Sequence, residues 1–489
     1  MKKVKNRISR EGWRTNSKER RNYFVGEIGR VCEGSIITAL MSTFMIFQGI
    51  NLAAIAGVML IVKVIDAFDD IVFGYLIDRL RITEWTAFKK ITGEGKYLPW
   101  YRLTFIFFPL FTALFFLMPT SFSTTGKLIW FAVFYLLYDF SYTLVEVPMN
   151  SMLVTLTDNL DERNYIIQTK AIINGAAIVP IYMIWTFLMS EYVGLPIKYI
   201  ALGSSLLFFF MMLPLNHGVK EHNTVLSNAN EEDTEHYSLK DMFHCIKTNK
   251  YLLVLLLSTV ITACLATGGS VGLFAAYYHF GSSLILAIPL LIAFVPQIIA
   301  QAQTAKLVKR YGKIRVIVVT GLLGALGFLG IYFSVGSLSI VFALLVLQAL
   351  PGNISNVAKS FLLPDTIEYT RYKTGKDCSG ICFALSSFVT KLSTSVSSSL
   401  GLFILGLSNW VNVEATSFAD LQAQNIKQPQ QAMDVLWIVY ALIPTIGVAI
   451  GVSVMIFYRL KDKDVELMAR CNSGEITRQE CEAQLSKSY

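Results

Sequence analysis

The chain has 489 residues, of which 54% are hydrophobic and only 16% are charged, and its formal net charge at pH 7 is +8. Its mean hydropathy of +0.52 is higher than that of soluble globular proteins of this size. These values exclude an ordinary soluble enzyme or binding domain. They predict a membrane protein with several transmembrane segments.

Twelve apolar stretches have about the length of a transmembrane helix. They cover residues 23–50, 52–79, 100–119, 128–153, 166–190, 197–215, 251–276, 282–303, 314–334, 337–361, 379–407 and 435–458. We therefore predict an all-α protein of twelve transmembrane helices in two six-helix bundles, at 23–216 and 251–460. The remaining segments are a basic N-terminal tail (1–22), a polar central loop (217–250) and a solvated C-terminal tail (461–489).

Lysine and arginine are concentrated in alternate connections between these stretches. They are frequent at 1–22, 79–96, 306–315 and 371–376, and sparse in the intervening loops. Because cytoplasmic loops are enriched in these residues, we predict a multi-pass protein of the cell membrane with both termini in the cytoplasm. The same asymmetry explains the net charge, so no nucleic-acid partner is expected.

Four charged residues interrupt the second apolar stretch: Lys63, Asp66, Asp69 and Asp70. Helical spacing places Lys63, Asp66 and Asp70 on one face, with Asp69 beside it. Charges within the membrane are unfavourable unless they are paired, hydrated or bound to an ion. A cation such as Na⁺ or a shared proton would relieve the repulsion between these carboxylates, so we predict a cation site. The structural alternative is an ion pair between Lys63 and one aspartate, which leaves the other carboxylates unexplained.

The fourth stretch contains Asp139, Thr143 and Glu146 at i, i+4 and i+7. The hydroxyl of Thr143 can bind a cation, and Glu146 can accept hydrogen bonds from a polar solute. A lone intramembrane threonine normally bonds to its own helix, so its spacing to Glu146 is what makes Thr143 a candidate. Lys170 and Lys391 are single cations in the fifth and eleventh stretches, and each needs an anion or a route to the interface.

The first stretch carries Glu27, Arg30 and Glu33 at helical spacing near its predicted cytoplasmic end. A ladder of ion pairs at the membrane interface is the favoured interpretation, and a contact with the solute is the alternative. The sequence has no Walker loop, no dinucleotide-binding GxGxxG and no HExxH or GxSxG motif. We therefore expect neither an ATP-driven pump nor an enzyme, and no cofactor apart from a coupling ion.

Four segments together resemble the glycoside-pentoside-hexuronide:cation symporters of the major facilitator superfamily, which the melibiose permease typifies. These segments are KVIDAFDDIVFGYLIDR at 63–79, GKYLPW at 95–100, YTLVEVPMNSMLVTLTDNLDERNYIIQTK at 142–170, and LPDTIEYTRYKTGKDCSGICFALSSFVTKLSTSVSSSLG at 363–401. They lie in both halves of the chain. The resemblance implies the major facilitator fold.

The resemblance also implies a cation site. Asp66 and Asp70 match its two carboxylates, Asp69 matches the polar ligand between them, and Thr143 matches the hydroxyl ligand on helix four. Two departures concern this site. The residue after Asp70 is Ile71 instead of the usual proline, and Asp69 stands where the melibiose permease has asparagine.

For the solute, the resemblance implies that Glu146 is an acidic sugar ligand, Lys170 a basic one, and Lys391 the buried lysine of helix eleven near both sites. Asn150 replaces a sugar-stacking tryptophan, and Glu33 is the nearest candidate for an acidic residue of helix one. These departures indicate that the solute is not held as a galactoside is.

We therefore expect a secondary active transporter, functional as a monomer in the lipid bilayer, that couples Na⁺ or H⁺ to the uptake of a sugar-type solute by alternating access. The solute would be a glycoside, an oligosaccharide or a hexuronide. Lys63 and Asp139 are expected to have coupling or structural roles. The alternative is a cation-coupled transporter of an anionic or lipid-like solute that is not a sugar, with Lys63, Lys170 and Lys391 serving the anion.

Overall fold

The computed structural model describes residues 12–80, 82, 95–222, 249–375 and 379–486, and the regular elements in these ranges are helices. Before residue 222 they are α1 (Ser17–Ile46), α2 (Leu52–Arg79), α3 (Leu98–Thr104), α4 (Phe107–Phe116), α5 (Thr124–Leu156), α6 (Leu160–Met189) and α7 (Ile197–Gly218). Polar caps fix where several of these helices begin. The side chain of Asn16 bonds to the backbone of Lys18 and Glu19 at the start of α1, and Glu19 completes a capping box.

The second half of the described chain continues the helical pattern. Its helices are α8 (Lys250–Cys264), α9 (Gly268–Phe280), α10 (Ile288–Tyr311), α11 (Lys313–Phe333), α12 (Leu338–Ser360), α13 (Leu362–Thr374), α14 (Ser379–Gly406), α15 (Phe418–Gln424), α16 (Gln430–Trp437), α17 (Ile443–Val454), α18 (Asp462–Asn472) and α19 (Arg478–Gln484). A π-helical turn, Ile438–Leu442, joins α16 to α17.

Each of the twelve predicted stretches lies mainly on helix. Ten helical segments of the described residues are long and apolar enough to cross a membrane. α1 and α2 are not among these ten, although they are 30 and 28 residues long. Both carry the mid-helix charged residues singled out from the sequence, and such residues in a membrane helix mark a functional or structural site.

The chain divides into two compact units. Unit 1 comprises Met1–Gln48, Val64–Thr234 and Glu414–Ala423, and unit 2 comprises Gly49–Lys63, Glu235–Val413 and Gln424–Tyr489. This division differs from the predicted bundles in two places. The first turns of α2 group with unit 2, and the segment Glu414–Ala423 groups with unit 1.

Two glycines set the packing of α1 against α7 in unit 1. A Cβ atom at Gly26 would lie 2.5 Å from the Cβ of Leu215, and one at Gly29 would lie 2.9 Å from the carbonyl oxygen of Phe208. Only glycine allows two helices to approach this closely. Glu27 directly follows Gly26, and Arg30 directly follows Gly29. The close contact between the helices therefore fixes where these two side chains lie within unit 1.

The segment Glu414–Ala423 packs against helix ends of unit 1. The backbone N–H of Ala415 donates to the carbonyl of Phe47 at 3.1 Å, and that of Ile197 donates to the carbonyl of Thr416 at 3.0 Å. The ring of Phe418 is fully buried and lies edge-on to Phe47, with centroids 5.2 Å apart. Backbone pairing and a buried aromatic ring together hold this segment in place.

The C-terminal tail belongs to unit 2 and packs there against α13. Met468 and Cys481 on α18 and α19 are fully buried in a cluster that includes Tyr369 and Tyr372 of α13. The side-chain amide of Asn472 donates to the carboxylate of Glu368 at 2.8 Å. The prediction of a solvated extension is therefore wrong for α18 and α19, because their apolar faces are covered.

Candidate functional site

Four charged side chains meet inside unit 1 where α1, α5 and α6 face one another: Glu27, Arg30, Glu146 and Lys170. Arg30 binds both carboxylate oxygens of Glu27, through Nη2 at 2.8 Å and Nε at 3.1 Å, and it reaches Glu146 through Nη1 at 3.2 Å. The ammonium of Lys170 lies 3.2 Å from Glu27. Two acidic and two basic groups give the cluster a formal charge of zero.

Glu27 is the centre of this cluster. It is fully buried, and its Oε1 atom accepts from Arg30, from Lys170 and from the side-chain amide of Asn174 at 3.0 Å. Arg30 is also buried, at 4% exposure. Charges this deep are tolerated only when their hydrogen-bonding groups are satisfied, and loss of one partner would leave the other uncompensated.

The accessible edge of the cluster lies on α5 and α6. The side chain of Glu146 is 22% exposed, and that of Lys170 is 14% exposed. Lys170 donates to the amide oxygen of Asn150 at 2.6 Å, and Asn150 is exposed. Polar side chains on membrane helices face water or other polar groups rather than lipid, so this edge offers both donors and acceptors to a polar solute.

Glu146 is held from two sides. The hydroxyl of Tyr142 donates to its Oε1 atom at 2.9 Å, and Arg30 binds the same atom. Oε2 has no protein partner among the described residues, and it lies on the partly exposed side chain. An ionised carboxylate with a free oxygen is suited to accept hydrogen bonds from solute hydroxyl groups.

Pro148 lies within α5, between the site residues Glu146 and Asn150. Pro148 has no N–H to donate to the carbonyl of Leu144, which would normally leave that carbonyl unpaired. The hydroxyl of Thr104 on α3 lies 3.0 Å from that carbonyl and 2.8 Å from the carbonyl of Trp100, so its one proton is shared between the two. The contact partly compensates the missing helical bond, and α5 runs continuously from Thr124 to Leu156.

The structure brings together three of the predicted solute ligands, Glu146, Asn150 and Lys170. It adds Glu27 and Arg30, for which the sequence favoured an interfacial ladder of ion pairs. The predicted ion pairing of Glu27 with Arg30 is present, but both residues are buried and also bonded to the predicted solute ligands, so they are not an isolated pair on α1. The signal in the sequence was the same as in the second stretch, namely charged residues inside an apolar segment.

Glu33 lies in a different environment from the other predicted solute ligands. It is fully buried, and its Oε1 atom accepts from the hydroxyl of Ser205 on α7 at 2.7 Å. The same hydroxyl lies 3.0 Å from the carbonyl of Pro109 on α4. The structure does not bring Glu33 to Glu146 or Lys170.

The predicted cation ligands lie on α2 and α5. α2 is continuous from Leu52 to Arg79, so the helical spacing assumed for the aspartates holds. Asp66 is buried, at 8% exposure, whereas the side chains of Asp69 and Asp70 lie outside the described part. Among the side chains that are described, no group of three acidic, histidine or cysteine residues could hold a metal ion.

α5 lies beside α2 in unit 1. The rings of Phe73 on α2 and Phe140 on α5 meet edge to face with centroids 5.4 Å apart. Thr143 follows Phe140 by about one helical turn and is fully buried. Asp139, next to Phe140, is 2% exposed. The helix of the aspartates thus packs directly against the helix that carries Thr143 and Glu146.

The two remaining predicted residues belong to unit 2. Lys63 lies on the part of α2 that groups with this unit and is half-buried. Lys391 lies on α14, also half-buried, and the hydroxyls of Thr394 and Ser395 donate to its backbone carbonyl. Their predicted roles stay predictions.

Several curated proteins are similar to most of the chain. The uncharacterized symporter YjmB of Bacillus subtilis (strain 168) is 28% identical over 466 residues, which cover 92% of this chain and 94% of that protein. The glucuronide carrier protein homolog of Escherichia coli (strain K12) is 23% identical, covering 87% and 88%. The isoprimeverose transporter of Lactiplantibacillus pentosus is 22% identical, covering 88% and 87%.

Solved structures of transporters share the fold. The nucleoside transporter NupG matches with a TM-score of 0.60 at 14% identity, covering 90% of this chain and 99% of that one. A bacterial homologue of the iron transporter ferroportin, in an inward-facing state, matches with a TM-score of 0.59 at 14% identity, covering 91% and 99%. The predicted fold class is confirmed. A family model described as MFS/sugar transport protein matches residues 23–462, and the chain therefore belongs to that family of the major facilitator superfamily.

Proposed function

We propose that this protein is a secondary active transporter that carries a sugar-type solute together with Na⁺ or H⁺ across the cell membrane. The observation that carries the proposal is the polar cluster of α1, α5 and α6, whose accessible edge presents a carboxylate, an amide and an ammonium group. Relatives named as symporters and as glucuronide and isoprimeverose transporters support this assignment.

In this proposal Glu146 accepts hydrogen bonds from solute hydroxyl groups through its free Oε2 atom. Asn150, one turn further along α5, and Lys170 on α6 supply hydrogen-bond donors beside it. Arg30 and Tyr142 hold Glu146 in position, so the carboxylate is oriented before the solute arrives. Lys391 keeps the solute role that the resemblance implies for it.

The coupling ion is proposed to bind Asp66, Asp69, Asp70 and the hydroxyl of Thr143. Thr143 lies three residues before Glu146 on α5, so a change at the ion site acts on the same helix that holds the solute ligand. A bound cation also offsets the charge of the aspartates. Linkage then requires that ion and solute strengthen each other's binding by the same factor.

Transport would follow the alternating-access scheme of two-bundle transporters, in which the binding site is exposed to one side of the membrane at a time. Both termini are proposed to lie in the cytoplasm, as the distribution of lysine and arginine indicates. A monomer in the lipid bilayer suffices for this scheme.

Uptake into proteoliposomes tests the proposal. Vesicles containing the full-length protein would be given an inward Na⁺ gradient or an inward pH gradient, and radiolabelled glycosides would be measured inside. We expect one gradient to drive accumulation above the external concentration and an ionophore that collapses it to abolish accumulation. Equal uptake with and without both gradients would contradict cation coupling.

A further inference from the structure

We infer that Glu27 is a built-in counter-anion that makes the solute site select neutral sugars over sugars with a carboxylate. This inference rests on the proposed sugar transport and specifies its substrate class. The solute would be a neutral glycoside or oligosaccharide, and hexuronides would be disfavoured. Glu27 acts here as a positioning residue, through Arg30 and Lys170, and does not itself contact the solute.

The cationic groups that a hexuronide would need are already paired with protein carboxylates. Each of the three guanidinium nitrogens of Arg30 binds a protein carboxylate, two on Glu27 and one on Glu146. The ammonium of Lys170 binds Glu27 and Asn150. The positive charge of both groups is thus balanced by protein carboxylates, so an anionic sugar would meet no uncompensated cation and would lie beside the carboxylate of Glu146. A neutral hydroxyl group can bind the free oxygen of Glu146 or the N–H groups of Lys170 and Asn150 that remain.

The charge of Glu27 cannot be screened by water, because its side chain is 1% exposed. With Glu27 ionised the cluster is neutral, and Glu146 at its edge is the acidic group nearest to an incoming solute. Removing the charge of Glu27 would leave one net positive charge held by Arg30 and Lys170. A unit charge within a few ångströms in such an environment changes the affinity for an anion by about tenfold or more.

The similar proteins do not decide this question, since their names include both a glucuronide carrier and an isoprimeverose transporter. The charges of the site do. The same contacts weaken the alternative of an anionic solute that is not a sugar, because that alternative needs Lys170 as a free cation. Lys170 is paired with Glu27 in unit 1.

Two matched pairs of sugars test the inference. Methyl β-D-glucoside and methyl β-D-glucuronide differ only in whether carbon six is a hydroxymethyl group or a carboxylate, and the corresponding galactosides form a second pair. Binding to the purified full-length protein would be measured at pH 7 with saturating Na⁺ and, separately, at low pH. In whichever pair binds to the wild-type protein, we expect the neutral sugar to bind at least about tenfold more tightly than the uronide.

The variant Glu27→Gln keeps an oxygen that can accept from Arg30 and Asn174 but removes the charge. We expect the ratio of glucuronide to glucoside affinity to rise by about tenfold or more. Glu19→Gln is the matched control, because it makes the same substitution on α1, where Glu19 bonds to Asn16 and His222 and not to the cluster. We expect no change in the ratio for this control.

A wild-type protein that binds the uronide as tightly as the neutral sugar, or more tightly, would overturn the inference while leaving sugar transport in place. An affinity ratio that moves no further in Glu27→Gln than in Glu19→Gln would overturn it as well. If Glu27→Gln does not fold, the wild-type ratio decides on its own. Failure of all four sugars to bind the wild type would count against the proposed function and against this inference with it.

Discussion

Replacing Glu146 with glutamine should weaken solute binding without unfolding the protein. The amide oxygen of glutamine can still accept from Tyr142, and Arg30 keeps its two bonds to Glu27. What is lost is an ionised acceptor at the accessible edge of the cluster. We therefore expect folding and membrane insertion to be retained and the change to appear in solute affinity.

The size of the effect follows from the chemistry of that acceptor. A hydrogen bond to a charged group contributes about 1.5–3 kcal/mol, and about 1.4 kcal/mol corresponds to a factor of ten in affinity. One solute hydroxyl on Oε2 therefore predicts a decrease of about 10- to 100-fold in sugar affinity. Cation affinity in the absence of sugar should change less, by under about threefold, because Glu146 is not one of the proposed ion ligands and three of the four lie on α2.

Isothermal titration calorimetry of the purified protein measures both quantities, with sugar titrated in the presence of the coupling ion and the ion titrated in the absence of sugar. Glu19→Gln again serves as the control for a carboxyl group on α1 outside the cluster. A sugar affinity in Glu146→Gln equal to that of the wild type would remove Glu146 from the solute site. A loss confined to cation affinity would reassign it to the ion site.

Three further variants test other parts of the structure. Asp70→Asn should abolish gradient-driven accumulation while leaving exchange of labelled for unlabelled sugar across the vesicle membrane, and accumulation at the wild-type level would count against the cation site. Ser205→Ala removes the hydroxyl that donates to the buried Glu33, so it should lower the stability by about 1–3 kcal/mol, seen as a lower Tm, with sugar affinity unchanged. A reduced sugar affinity with an unchanged Tm would instead support the solute role first predicted for Glu33. Phe418→Ala removes a fully buried ring that contacts Phe47, which should lower the stability by about 3–5 kcal/mol. Hydrogen exchange in the segment Glu414–Ala423 should then become faster. Protection equal to the wild type would show that the ring does not hold the segment.

The helical architecture could be predicted because a bilayer imposes a length on each apolar segment. The twelve stretches accordingly lie mainly on helix. The interruption at Phe105 and Ile106, between α3 and α4, could not be predicted, because it lies in apolar sequence where hydropathy carries no information about local geometry. The interruption at Leu265–Thr267, between α8 and α9, was missed although Thr267, Gly268, Gly269 and Ser270 interrupt the apolar sequence there and paired glycines favour a break in a helix.

The candidate site was predictable where intramembrane charges stood out in apolar sequence, as at Glu146 and Lys170. The burial of Glu27 and Arg30 inside unit 1 was not predictable. It depends on α1 beginning at Ser17 and on Gly26 and Gly29 packing against α7, and those are tertiary contacts. A glycine that permits close helix packing looks the same in a sequence as any other glycine.

The segment Glu414–Ala423 and the C-terminal tail show the same limit in different ways. The pairing of Ala415 with Phe47 joins residues far apart in the chain, and no local pattern predicts it. On α18, Val465 and Met468 are spaced three residues apart and both are buried. That spacing is a signal of an amphipathic helix, but the apolar residues Val465, Leu467, Met468 and Cys471 lie in a short, otherwise mainly polar segment, which did not suffice to predict docking.

Reciprocal binding tests the coupling between ion and solute most directly. The sugar affinity would be measured with and without the coupling ion, and the ion affinity with and without the sugar, on the same protein preparation. Coupled sites predict that each ligand tightens the other by one common factor, greater than about fivefold. A factor of one in both directions would contradict the account, because ion and solute would then bind independently.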